Sequence, residues 1–103
     1  MNVGYIGSGP ISDFHLEAMR FHNIDISAIG TRRLSENCKT FAKKHNLDNY
    51  FCEGGWEEVL SKDVDAFVIC INPSGTYEVL MKALDTQKPI FIEKPISFKL
   101  DEI

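Results

Sequence analysis

Two rhythms alternate along this chain. Short apolar runs recur at Val3-Gly4-Tyr5-Ile6, Ile24 to Ile29, Tyr50-Phe51-Cys52, Ala66 to Ile71 and Lys88-Pro89-Ile90-Phe91-Ile92. Between them, core-type residues fall three and four apart. The first set is Ile11, Phe14, His15, Ala18 and Met19, and the second is Leu34, Cys38, Phe41, Ala42 and His45. Trp56, Val59 and Leu60 follow, then Tyr77, Leu80, Met81 and Leu84. The runs predict strands and the helical spacing predicts helices with those residues facing inward. Ala66 to Ile71 is apolar without alternation, which suits a parallel strand covered on both faces. Pro89 stands at the start of its strand, where a missing N–H does least harm. Strands alternating with helices imply right-handed crossovers and an α/β fold, a doubly wound parallel sheet of Rossmann-like order 3-2-1-4-5.

The first strand leads into Gly7-Ser8-Gly9-Pro10-Ile11-Ser12. In a G-x-G-x-x-G turn the first glycine permits the tight turn and the second lets a pyrophosphate approach the backbone. The third allows close helix packing. Gly7 and Gly9 fill the first two positions, and Ser12 is small enough for the third and can cap the helix it enters. Unpaired N–H groups and the positive end of the helix dipole would attract an anion there. The competing reading is a sharp turn and nothing more, and the placement in the first strand-helix unit of an alternating pattern argues against it. After the second strand comes Gly30-Thr31-Arg32-Arg33, with no Asp or Glu to take an adenine ribose; the arginines offer forks that match phosphate oxygens and favour NADP over NAD. A methyl-donor fold would usually have an acidic residue at that point. A short-chain dehydrogenase would need Tyr-x-x-x-Lys, which none of Tyr5, Tyr50 and Tyr77 provides.

Composition narrows the field. The 103 residues suffice for one domain, and a formal charge of −4 with scattered Lys and Arg leaves no basic stripe for nucleic acid. No apolar run approaches the ~20 residues that span a bilayer, and Met1-Asn2-Val3 has no signal-peptide pattern, so the expected location is cytoplasmic with no membrane partner. Cys38, Cys52 and Cys70 are odd in number and lack C-x-x-C spacing, which predicts reduced, buried thiols. No set of His, Cys and acidic residues has the spacing of a metal site.

Phe91-Ile92-Glu93-Lys94-Pro95 makes the argument specific. It resembles the Glu-Lys-Pro signature of the glucose-fructose oxidoreductase, inositol dehydrogenase and rhizopine catabolism (Gfo/Idh/MocA) family. The supporting pieces are Gly7-x-Gly9-x-Ile11-Ser12-x-x-His15-Leu16, Thr31-Arg32 and Ile71-Asn72-Pro73, in the family's order. Tyr77 departs from it, since many members carry His there. The resemblance implies an NAD(P)-dependent oxidoreductase of sugars, cyclitols or nucleotide sugars, with Lys94 catalytic beside the nicotinamide. Cofactor contacts would come from Gly7, Gly9, Pro10, Ile11, Ser12, Thr31, Arg32, Arg33, Ile71, Asn72, Pro73 and Glu93. Residues 1–103 then correspond to the dinucleotide-binding domain, incomplete at its C-terminal end, without the second α+β domain that carries substrate contacts. A chain lacking that domain would bind the dinucleotide without turnover. A noncatalytic nucleotide-binding or partner-binding module of the same fold is the alternative, and self-association is left open.

Overall fold

The computed structural model describes residues 1–7, 12–71 and 73–92. Its elements follow the order β1 (Asn2–Ile6), α1 (Ser12–Phe21), β2 (Asp25–Gly30), α2 (Glu36–Lys44), β3 (Tyr50–Phe51), α3 (Trp56–Leu60), β4 (Ala66–Ile69), α4 (Pro73–Leu84) and β5 (Ile90–Ile92). All strand pairs are parallel and the sheet order is β3-β2-β1-β4-β5, the doubly wound arrangement that the apolar rhythm predicts.

Alternation along the strands divides the core in two. Val3 and Tyr5 of β1 face Leu16 of α1 and Cys38, Phe41 and Ala42 of α2. Ile6, with Phe67 and Ile69 of β4, faces Trp56 and Val59 of α3 and Val79 and Ala83 of α4. Tyr5, Ile6 and Phe67 are completely buried, each contributing about 1.5–3 kcal/mol relative to exposure. The Tyr5 hydroxyl lies 2.7 Å from Nδ1 of His15, which satisfies a polar group that would otherwise be costly in the core. A register shift opposite Val3 and Gly4 lets Ile26 and Ile29, three residues apart on β2, join the same core cluster. Capping sets the start of α2: the Cys38 amide donates to Oγ of Ser35 at 3.0 Å, and Glu36 stands in the first turn with Lys43 and Lys44 in the last.

Three sequence expectations need correction. The buried face of α4 is Thr76, Val79 and Ala83, while Met81 and Leu84 are about half exposed. The helix meets the sheet through its smaller residues, one position away from the stripe that the large apolar residues suggest. Leu34 and Ala18 are exposed too; Leu34 precedes α2 and forms an isolated antiparallel bridge with Glu53. Finally, Cys38 and Cys52 are joined in a disulfide across 14 positions of sequence, with Cα atoms 5.5 Å apart. The crossover from β2 through α2 to β3 lays the inner face of α2 on the end of β3, and the Ser35 amide, donating to the Cys52 carbonyl at 2.8 Å, fixes that approach. Cys70 is not disulfide-bonded.

Candidate functional site

The strand order reverses between β1 and β4, and their carboxyl ends form the crevice where open α/β sheets collect ligands. Gly7 sits at its base. Its amide donates to the Gly30 carbonyl at 2.9 Å, while the Cys70 amide donates to the Ile6 carbonyl at 2.8 Å, so pairing continues past the strand ends. Gly7 has φ of +137°, and a Cβ there would collide with the Cys70 carbonyl oxygen. Only glycine lets the chain leave β1 flush against β4. Ser12 opens α1 five residues further along the chain. Gly9, Pro10 and Ile11 lie outside the described residues.

At the end of β2, Thr31 is buried and doubly anchored. Its amide donates to the Phe51 carbonyl and its own carbonyl accepts from the Trp56 amide, both at 3.2 Å. Its hydroxyl donates to the Arg33 carbonyl at 2.6 Å, closing a local turn and leaving only its lone pairs for a ligand. Arg33 is exposed. Arg32 instead crosses to α4, where Nη2 meets Oε2 of Glu78 at 3.3 Å. Its guanidinium lies over Gly75, where any Cβ would strike it, and its Nε is buried without a hydrogen-bond partner among the described residues.

From β4 the chain continues through Cys70 and the half-buried Ile71, which packs on the second core cluster, to Pro73 at the first position of α4. Proline suits that position because the first helical amide has no intrahelical partner. Asn72 lies outside the described residues, as do Glu93 and Lys94, which follow the last residue of β5. The fold therefore gathers Gly7, Ser12, Thr31, Arg32, Ile71 and Pro73 at one end of the sheet. It adds Gly75 and Glu78, which sequence reasoning missed; their spacing of three on one helix was the available signal.

Two other cavities lie away from this crevice. One of about 580 Å³ is lined by Met19, Ile24, Val68 and Phe91 among others, between α1 and the β4–β5 side of the sheet. The other, about 400 Å³, flanks the edge strand β3 beside Lys39 and Glu53. The hydrogen bond to Glu53 holds the Lys39 ammonium above its usual pKa, with the Glu36 charge adding to it.

All 103 residues match the family model for Gfo/Idh/MocA, described as an oxidoreductase family with an NAD-binding Rossmann fold. The Bacillus subtilis (strain 168) protein called uncharacterized oxidoreductase YrbE is 32% identical over 102 residues, covering 97% of this chain and 29% of YrbE. The WlbA dehydrogenase of Bordetella pertussis, solved with NADH and UDP-GlcNAcA, superposes with a TM-score of 0.83 at 17% identity, over 98% of this chain and 30% of its own. KijD10, a 3-ketoreductase of Actinomadura kijaniata solved with TDP-benzene and NADP, gives 0.76 at 25% identity, over 99% and 32%. The chain spans about three tenths of the length of these relatives. Its sequence and its sheet agree, and the chain belongs to the Gfo/Idh/MocA oxidoreductases, matching their NAD-binding Rossmann domain.

Proposed function

We propose that the chain binds a nicotinamide dinucleotide across the β1–β4 crevice, with NADP preferred, and is the cofactor-binding portion of an oxidoreductase acting on a sugar, cyclitol or nucleotide sugar. The observation that carries this reading is Gly7. Its positive φ and the absence of room for a Cβ bring bare backbone to the reversal point of the sheet, five residues before the start of α1. Backbone N–H groups of the turn from Gly7 to Ser12 would hold the pyrophosphate. Arg32 supports the phosphate end of the proposal, since a buried guanidinium nitrogen without a partner can still donate. Nucleotide sugars enter because WlbA was solved with one and KijD10 with a TDP compound.

When bound, the cofactor supplies hydride chemistry, and the protein contributes position, electrostatics and a path for protons. In this reading Ile71, Asn72 and Pro73 would line the dinucleotide site, and Glu93 would contact the nicotinamide ribose. Lys94 would hydrogen-bond the reacting oxygen of the substrate and, as the neutral amine, take up its proton, the ammonium so formed favouring the alkoxide character of that oxygen. Substrate contacts and the rest of the proton relay would come from a second domain.

Fluorescence titration of the full chain with NADPH and NADH is the test. Saturable binding of both with NADPH tighter is expected, because hydrogen bonds to a charged group are worth roughly 1.5–3 kcal/mol. Equal affinities, or a preference for NADH, would make Arg32 and Arg33 bystanders. No binding of either would remove the dinucleotide reading altogether.

A further inference from the structure

The Arg32 guanidinium is the charged group that crosses from the end of β2 to α4, and two residues of one helical turn hold it there. Gly75 gives it a bare backbone surface, and Glu78, three residues further on, gives it a carboxylate. The grip is partial. Glu78 meets Nη2 through one contact of 3.3 Å and leaves Nε, on the same edge of the fork, without an acceptor among the described residues. A phosphate offers several oxygens and twofold charge, and could satisfy both donors of that edge where one carboxylate oxygen satisfies one. Glu78 is also well exposed, at 59% of its side chain, against 28% for Arg32, so it can swing away at little cost.

We propose that Glu78 is a specificity-determining residue for the cofactor: it pre-positions Arg32 over Gly75 and competes with a ribose 2′-phosphate for the guanidinium. This rests on the dinucleotide reading above. An unphosphorylated ribose brings no anion to that place, so Glu78 opposes NADPH selectively and narrows the margin over NADH. Repulsion between its carboxylate and the phosphate acts in the same direction, and both effects weaken with salt.

The experiment is a double-mutant cycle on the full chain, with NADPH and NADH titrated against wild type, Glu78→Gln, Arg32→Gln and the double variant at low ionic strength. Glutamine keeps the length and an acceptor oxygen while removing the charge. Glu78→Gln is expected to tighten NADPH by roughly two- to fivefold, the worth of an exposed ion pair, and to leave NADH within about twofold. In the Arg32→Gln background the same change should lose most of its effect. Unchanged NADPH affinity in Glu78→Gln, with wild type binding both cofactors, would overturn the role of Glu78 and leave the dinucleotide reading standing. An equal gain with and without Arg32 would also overturn it, showing a charge effect that does not pass through the guanidinium. Failure of wild type to bind either cofactor would instead strike down the dinucleotide reading, and this inference with it.

Discussion

Replacing Gly7 by alanine asks whether the close approach of β1 to β4 is as tight as the geometry implies. The residue has φ of +137°, a conformation that costs a side-chain-bearing residue roughly 1–3 kcal/mol. A new Cβ would collide with the Cys70 carbonyl oxygen and stand 2.9 Å from its carbon, and neither backbone atom can rotate away. Relief requires the exits of β1 and β4 to part, stretching the 2.8 Å bond from the Cys70 amide to the Ile6 carbonyl, which resembles overpacking at about 1–3 kcal/mol. The combined loss is about 2–6 kcal/mol, a large share of the roughly 5–15 kcal/mol that stabilises an ordinary domain. Urea unfolding followed by circular dichroism should show a much lower midpoint with an unchanged m-value. An unfolding free energy within about 0.5 kcal/mol of wild type would mean that the turn has slack, and the argument for a cradle shaped by glycine would fail with it.

Two further outcomes follow from the cysteines and from Lys94. Thiol labelling of the unfolded, unreduced chain should modify Cys70 alone; three labelled cysteines would refute the Cys38–Cys52 bond. Disulfides are rare in reducing compartments, so the same labelling performed on cells bears on the cytoplasmic expectation. Closing a loop of that length is worth about 3 kcal/mol in the chain-entropy account, and Cys38→Ala with Cys52→Ala should lower stability by about that much, read as a fall in Tm. In an assay of the whole enzyme, Lys94→Ala should reduce kcat by roughly 10²-fold or more while NADPH affinity stays within about twofold, since a proton-transfer group acts mainly in the transition state. An intact kcat would return Lys94 to the status of a solvated lysine.

Much of the architecture was legible because parallel sheets write themselves plainly. Unbroken runs such as Ala66 to Ile69 need cover on both faces, and the alternation with helices leaves few topologies. The face of α4 differs from its apolar pattern for a physical reason. Pattern reading weighs bulky residues such as Met81 and Leu84, whereas the helix approaches the sheet through Thr76, Val79 and Ala83. The disulfide has no short motif, since its cysteines stand 14 positions apart. The helical spacing puts Cys38 on the inner face of α2 and the apolar run puts Cys52 at the end of the next strand, and the topology alone brings those two places together. Thr31 illustrates a different limit: its place at the end of β2 is visible in sequence, but the donation of its hydroxyl to the Arg33 carbonyl is not. The reach of Arg32 to Glu78 spans 46 positions and has no local pattern at all.

The central claim is where the dinucleotide sits, and amide chemical shifts of the isotope-labelled full chain during titration with NADPH measure that most directly. The account predicts that the largest changes fall on Gly7, Thr31, Arg32 and Gly75, at the carboxyl ends of β1 and β2 and the start of α4. Changes centred on Met19, Ile24 and Phe91, which line the larger apolar cavity beside α1, would place the ligand elsewhere and contradict it.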